Sequence, residues 1–404
     1  MNRTLRMFLP MALTALLSVA RGLAGPLTVE FRNTAAFAES AVDQFGHAFT
    51  VAGVSGIGWL GESNFVAVCD NSSHLIFLTI ETTSDGALLS VNIDRGFTLT
   101  ESRDFEGIAI GDAGVSVFLS DEGGPDVCEF DTFNGGLLQT LSVPPLFANR
   151  RANFGFESLT RHPSGDEIWT ANEEALTIDG PASSQSAGSV VRLVRFAAGA
   201  GQYDSAEQLA YVTEPLHGTP INGSRSGLVD LVELPDRRLL ALERSFALGA
   251  GGFFRNRIFE INRDAATDVS GLTSGLIGQN YTPVAKVQLW SGSVNNLEGL
   301  TLGRWLPGGR RSLIGVVDDG DPLSTNRIAA FVLDGAFIAG DTNCDGAINN
   351  FDIDAFALAL TDAAAYAAAY AACDILAADA NRDGAVDNFD IDSFVDCLQQ
   401  GACP

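Results

Sequence analysis

The sequence predicts an all-β ring of repeated hairpin modules, a β-propeller, followed by a small helical unit built on two related loops. Three observations predict it. One hairpin pattern recurs five times at a spacing of about fifty residues, the length of one four-stranded blade. Glycine is abundant, at 43 of 404 residues, and helical periodicity is scarce before residue 350. The aspartate-rich tail then carries two copies of a twelve-residue pattern with oxygen-bearing side chains at regular positions.

In chain order, Arg3 and Arg6 followed by the apolar run Met7–Ala20 predict an export signal, residues 1–24, with a small-residue cleavage site near Ala24. The run is too short and too interrupted to span a membrane, and no later stretch would do so. The mature chain is therefore expected outside the cytoplasm (extracellular, periplasmic or cell-surface), where cysteines can pair.

Residues 25–339 carry the repeats. Two β-rich runs around a turn appear at Ser55–Ser72, Glu106–Glu122, Glu157–Glu174, Asp230–Arg244 and Glu298–Asp319. A third strand follows each, at His74–Thr79, Asp126–Phe130, Val190–Arg195, Arg257–Ile261 and Arg327–Leu333. The first four modules add a fourth strand near Leu88–Ile93, Leu137–Val143, Gln208–Thr213 and Val284–Leu289. The fifth lacks one, and Leu27–Phe31 is the candidate to close the ring and remove its edges. Five modules are countable, so a five- or six-bladed ring is expected; an open sandwich ranks below it because the repeats share one pattern.

In a propeller the start of each inner strand and the end of the next converge on one mouth of the channel. That places Glu106, Glu157 and Glu298 at the channel, with Asp70, Asp121, Glu122, Glu173, Glu174, Glu243, Asp318, Asp319 and Asp321 around them. Like charges at this density need cations, arginines or raised pKa values. Hard oxygen donors on rigid elements suit Ca²⁺, and Arg151, Arg244, Arg255 and Arg257 are the counter-charges that could clamp an anionic substrate. Each acid taken singly is better read as a turn cap or ion-pair partner; the set on one face points to function. The net charge of −26 argues against nucleic acid or an anionic membrane as partner. No G-x-S-x-G elbow or H-E-x-x-H pair occurs. Ser245, beside Glu243 and Arg244, is read as a turn hydroxyl rather than a nucleophile, and Lys286, the sole lysine, has only a remote Schiff-base role.

These segments resemble a known family. Arg151-Ala-Asn-Phe-Gly-Phe-Glu-Ser-Leu159, Trp169-Thr-Ala-Asn-Glu-Glu-Ala-Leu176, Leu242-Glu-Arg-Ser-Phe246, Phe254-Arg-Asn-Arg-Ile258, Asn296-Leu-Glu-Gly-Leu300 and Asp318-Asp-Gly-Asp-Pro322 are similar to signature segments of the phytase-like family, the domain of "esterase-like activity of phytase". The likeness runs from about Val54 to Leu333. It implies hydrolysis of a phosphate or other ester at the mouth, with Glu106, Glu157, Glu298, Arg151, Arg244 and Glu243 as catalytic candidates and Glu173, Glu174, Arg257, Asp318 and Asp321 around the substrate. Asp319 stands where the family usually has Asn.

Residues 340–404 hold twelve aspartates against one basic residue, Arg382. The loops Asp341–Asp352 and Asp379–Asp390 match the EF-hand calcium loop, with Asp at the twelfth position and Gly346 and Gly384 at the sharp sixth. The expected ligands are Asp341, Asn343, Asp345, Ala347 (carbonyl), Asn349 and Asp352, then Asp379, Asn381, Asp383, Ala385 (carbonyl), Asp387 and Asp390, for two Ca²⁺ ions. Helical stretches Ile353–Leu360 and Ile391–Leu398 follow the loops, and Ala363–Ala372 forms a further helix between them. Two loops, each with only a following helix, resemble a dockerin, which implies docking on a cohesin-like or cell-surface partner within a polysaccharide-degrading complex. Phe351 and Phe389 replace the small hydroxyl residues common in dockerins and are either core plugs or contacts. Cys344, Cys373, Cys397 and Cys403 allow three pairings, with Cys344 expected to join Cys373 or Cys397.

The leading expectation is therefore a secreted ester hydrolase with a calcium-dependent anchoring module. The alternative is a non-catalytic extracellular binding propeller.

Overall fold

A computed structural model describes residues 26–404 apart from 200–201, 308, 319–324, 337, 346, 371–372, 382–384, 402 and 404. The predicted signal, Asp319, Asp321, Gly346, Asp383 and Gly384 thus lie outside the described residues. Five four-stranded antiparallel sheets form the body. From the channel outward they are blade 1 (Val54–Gly61, Asn64–Cys69, Ser72–Thr82, Leu88–Arg103) and blade 2 (Phe105–Ile110, Ser116–Asp121, Asp126–Asp131, Leu137–Thr140). Blade 3 is Phe156–Arg161, Glu167–Asn172, Val190–Ala198 and Tyr203–Val212, and blade 4 is Arg225–Glu233, Leu239–Gly249, Gly252–Asn262 and Ala285–Gly292. Blade 5 takes Leu297–Leu306, Arg310–Val317 and Arg327–Asp334, with Thr28–Ala36 from the N-terminus as its outer strand.

The ring is therefore five-bladed, closed by pairing Val29 with Leu333 and Phe31 with Phe331. The closing strand is longer than the expected Leu27–Phe31, because a bulge at Arg32 lets pairing resume from Asn33 to Ala36. The five inner strands touch in order around the channel. Each seam between blades carries an apolar cluster. Blade 1 packs Val66 and Val68 against Phe105 and Leu119 of blade 2, and blade 4 packs Leu240 and Leu242 against Leu313 and Phe331 of blade 5. Because both faces of a blade are covered, second strands such as Phe65–Cys69 read as continuous apolar runs rather than alternating ones.

A bulge interrupts each inner strand, after the first paired residue in blades 1, 2, 3 and 5 and after the fourth in blade 4, at Ser55, Glu106–Gly107, Glu157, Val229 and Glu298. The next position lies where neighbouring inner strands come closest, and it is small in four blades: Gly56, Gly107, Ser158 and Gly299. A Cβ on Gly107 would come within 2.6 Å of the Leu159 nitrogen, and one on Gly299 within 2.6 Å of the Ser55 carbonyl oxygen. Blade 4 alone places a large side chain there, Asp230. Its hairpin begins at Arg225 rather than at Asp230 as the sequence pattern suggested, so Asp230 lies mid-strand and not at the mouth. Its carboxylate accepts the amides of Leu231 (2.8 Å) and Leu300 (2.6 Å), with Leu159 farther at 3.4 Å, tying blades 3, 4 and 5 together.

Toward the opposite mouth lies a cavity of about 690 Å³, lined by Trp59, Arg161 and Leu302 and covered by Asn343, Cys344, Asp345 and Tyr370 of the C-terminal region. Among the described residues, that region has three short α-helices, α1 (Asp352–Thr361), α2 (Ala363–Ala369) and α3 (Asp390–Gln400). Its two loops repeat one hydrogen-bond pattern. Asp352 accepts the amides of Asn343 (3.0 Å) and Asn349 (2.8 Å), and Asp390 accepts those of Asn381 (3.1 Å) and Asp387 (2.9 Å). Phe356 and Phe394 stack at 3.8 Å between the two halves. Disulfides join Cys344 to Cys373 and Cys397 to Cys403. Cys69 and Cys128 are buried in blades 1 and 2 and form no disulfide.

Asp230→Ala is expected to leave channel-facing amides without an acceptor, at about 1–3 kcal/mol each, and to lower the melting temperature. Burial pushes the Asp230 carboxyl up to about 8. The folded chain then holds that proton more tightly than the unfolded chain, so this contribution is lost as pH rises from about 4 to about 8. Thermal melts across that range should fall less steeply for Asp230→Asn than for the parent.

Candidate functional site

The bulges carry functional side chains. They turn Glu106, Glu157 and Glu298 toward the mouth, while blades 1 and 4 have Ser55 and Val229 at the same position. A second ring follows from the hairpin register. One residue beyond the partner of the residue that precedes each bulge stand Asp70, Glu122, Glu173, Arg244 and Asp318. All four acids share one anchor: the amides of Asp70, Glu122, Glu173 and Asp318 donate to the carbonyls of Gly53, Asp104, Gly155 and Asn296, just ahead of the inner strand. The mouth is therefore four carboxylates and one guanidinium at equivalent positions, above the bulge acids.

Glu106, Glu122, Glu157 and Glu173 are all buried. Oxygens of Asp104, Glu106 and Glu122 lie within 4.8 Å of one another, as do those of Glu122, Glu157 and Glu173. Burial, then the charges of Glu122 and Asp70, pushes the Glu106 carboxyl well above the usual range. Burial and the charges of Glu106, Glu173 and Glu122 do the same to Glu157. Glu122 is pushed up to about 7, chiefly by burial, while a hydrogen bond with Glu157 holds it down. The Glu122–Glu157 hydrogen bond ties the titration of one carboxyl to that of the other.

Arg244 is the compensating charge. It donates to Glu173 (2.7 Å) and Asn296 (2.8 Å) and pairs with Glu298. Arg225 reaches Glu173 at 3.3 Å. Gly227 leaves room for the Glu173 side chain, into which any Cβ would run. Asp318 accepts from Asn296 at 2.8 Å at the edge of the same group.

Other candidates lie elsewhere. Glu243 precedes Arg244 in its strand and so faces the opposite side; it accepts from Tyr211 (2.7 Å) and the Glu214 amide (2.8 Å) and pairs with Lys286 (2.5 Å). Lys286 is committed to that ion pair and to Glu214. Arg151 donates to the carbonyls of Ala175 (3.0 Å) and Gly180 (2.8 Å) and braces a loop. Glu174 holds the amide and hydroxyl of Ser183. Arg257 lies on the face that carries Glu243. Ser245 meets His217 Nδ1 at 3.0 Å, but it is wholly buried and no carboxylate orients the imidazole.

Comparison with known proteins places the chain. A family model described as "Phytase-like: Esterase-like activity of phytase" matches residues 50–321, more than half of the chain. The chain belongs to the phytase-like family. A search of curated proteins returns no match. Among solved structures it is similar to a luciferin-regenerating enzyme (11% identity, 76% of this chain and 95% of that one, TM-score 0.34). It is also similar to glutaminyl cyclase of Myxococcus xanthus (10%, 76% and 97%, 0.35) and to the allergen Mala s 1 of Malassezia sympodialis (11%, 72% and 84%, 0.36). Likeness at this level bears on neither chemistry nor substrate.

Sequence reasoning about this phytase-like propeller left Asp104 and Arg225 out of the site and gave Glu122 only a peripheral place. Glu122 was within reach, since it holds the same hairpin position as Glu173. Arg225 was not, because its strand begins five residues ahead of the apparent repeat.

Raised carboxyl pKa values make the folded state bind protons more tightly. Stability in chelator is therefore expected to fall as pH rises from about 4.5 through 7. Glu122→Gln should weaken that dependence in pH-resolved thermal melts.

Proposed function

We propose that this phytase-like propeller is an exported, divalent-cation-dependent ester hydrolase, acting on a phosphate monoester at its acidic mouth. The observation that carries the reading is a pair of carboxylate groups that share Glu122, Asp104–Glu106–Glu122 and Glu122–Glu157–Glu173, each with oxygens within 4.8 Å of one another and all but Asp104 buried. An all-carboxylate donor set fits a hard cation such as Ca²⁺, and the raised pKa values of Glu106, Glu122 and Glu157 mark a site with excess negative charge to neutralise. A bound cation would supply charge neutralisation and Lewis acidity toward an ester oxygen. The protein's own part is positional: Arg244 fixes Glu173 and Glu298, while Glu122 and Glu157 hold one exchangeable proton for general acid–base work.

In this proposal residues 1–24 are the export signal, 25–339 the catalytic unit and 340–404 a dockerin-like calcium module. The matching amide patterns around Asp352 and Asp390 support the two-ion reading of the tail. Phe351 and Phe389 are each 79% exposed and so suit contact with a cohesin-like or cell-surface partner rather than a core role. A second reading, a non-catalytic binding propeller, draws on the surplus of carboxylates and on the engagement of Arg225 and Arg244 by Glu173.

Phosphate release from phytate and p-nitrophenyl phosphate is expected with calcium and should disappear in EDTA. Glu157→Gln should lower turnover about 100-fold or more; full activity in that variant would remove Glu157 from the mechanism. No turnover from folded protein would favour the binding propeller. Calcium titration of the full chain should lose one tight site in Asp352→Asn and the other in Asp390→Asn.

A further inference from the structure

Asp230 divides the channel. Its carboxylate accepts the amides of Leu231 (2.8 Å) and Leu300 (2.6 Å), with Leu159 at 3.4 Å, and so separates the acid mouth from the cavity of about 690 Å³ on the far side. That volume lies in the range of small-molecule sites. Those three amides face the channel, and in an antiparallel pair every second residue turns its N–H and C=O to the same side. The backbone groups of Trp59, Ile110, Arg161, Glu233 and Leu302, two residues farther along each inner strand, therefore face the cavity. The next residue in blades 2, 3 and 4 has the opposite parity: the amides of Gly111, His162 and Leu234 bond across their own hairpins at 2.9, 3.0 and 2.8 Å.

We infer that this cavity is a binding site for a neutral sugar of one or two rings, held by the open backbone groups of the inner strands and by the rings of Trp59 and Tyr370. The site is separate from the acid mouth and does not rest on the ester-hydrolase reading.

Two observations set the chemistry. The first is the state of the polar groups. Among the described residues, the charged side chains of the lining are already engaged. Arg161 donates to the Tyr203 hydroxyl (2.8 Å) and pairs with Asp112. Arg311 lies between Trp59 and Trp305, at 5.2 and 4.7 Å, and donates to the Gly303 carbonyl (2.9 Å). Asp345 accepts the Ala347 amide (3.0 Å) and the Asn343 side chain (3.1 Å). Burial lowers the pKa of His162, and burial with a hydrogen bond from Glu167 pushes the Glu233 carboxyl up to about 10, so both are neutral at pH 7. The cavity therefore holds no open charge for an ion. It offers peptide groups instead. The Glu233 amide donates to Thr160 Oγ1 (2.9 Å), whereas those of Trp59, Ile110, Arg161 and Leu302 have no acceptor among the described residues. Buried peptide groups need partners. A hydroxyl donates and accepts at once, so a sugar can meet N–H and C=O together. Water does the same in a polar cavity, and a ligand replaces it without loss when its hydroxyls take over those bonds. The second observation is aromatic. Trp59 from blade 1 and Tyr370 from the C-terminal cover line the same space and are both half-buried. The C–H face of a sugar ring buries apolar area on such surfaces, which water cannot do. Access lies beside the turn Gly111–Gly114 of blade 2, where the lining Asp112 side chain is 88% exposed.

The test is calorimetric titration of the full chain in calcium buffer with glucose and with cellobiose, and with glucuronate and cyclohexanol as charged and apolar counterparts. One of the two neutral sugars is expected to bind saturably at a single site, and both counterparts about tenfold more weakly or less. Thr301→Trp, which fills the cavity from blade 5, should abolish binding. Tyr370→Ala, on the cover and outside the propeller, should weaken it about tenfold. That second variant keeps the test valid if circular dichroism shows the first to be unfolded. Glu157→Gln, at the acid mouth, should leave sugar binding unchanged. Absence of saturable binding by either sugar overturns the site and leaves water as the occupant of the cavity. Glucuronate bound as tightly as the sugars overturns the neutral class, and cyclohexanol bound as tightly overturns recognition through hydroxyls. Sugar binding that survives both cavity substitutions, or that is lost in Glu157→Gln, overturns the location.

Discussion

Like-charge repulsion at the channel mouth, relieved from within by Arg244, is the constraint around which this propeller is arranged. Closing five hairpins into a ring brings five equivalent positions together, and four of them are acids. Water screens the mouth poorly, because Glu122 and Glu173 of this ring and the bulge acids Glu106 and Glu157 are buried. A single buried guanidinium bonded to Glu173, Glu298 and Asn296 binds three blades at once. The remaining excess charge is absorbed by protons, held on carboxyls whose pKa values burial has raised. Under the proposed reading, a cation entering this site would displace protons from those carboxyls.

Below the mouth the same ring geometry works through backbone. The inner strands approach so closely that four blades need glycine or serine at one level, and blade 4 fills the remaining space with Asp230. Its carboxylate accepts amides from its own strand and from blade 5, which gives the channel a floor between the acid cluster and the far cavity. The C-terminal loops then cover that far side, with Asn343, Asp345 and Tyr370 lining the cavity.

Much of this was legible in the chain. The hairpin repeat showed five modules and left five or six blades open, and the missing fourth strand of the last module pointed to the N-terminal segment that closes the ring. Glu106, Glu157, Glu298, Glu173, Asp318 and Arg244 could be placed at one mouth from hairpin geometry alone. Glu243 could not be separated from Arg244, because adjacent residues on a strand differ in the face they occupy and the repeat does not say which face is which. Arg151 had the composition of an anion clamp, yet its guanidinium closes on the Ala175 and Gly180 carbonyls, partners supplied by a loop without a sequence signature.

What the sequence determined by itself was periodic: strand order within each module, the acidic mouth and the twin loops of the tail. All of these follow from local patterns of apolar, turn and carboxylate residues. The tertiary structure alone decided which groups meet across blades. It set Asp230 against blades 3 and 5, joined Arg244 to Glu173 and Glu298, and brought His217 to Ser245. Those contacts depend on bulges and on the closing angle of the ring, where a shift of one residue turns a side chain to the opposite face.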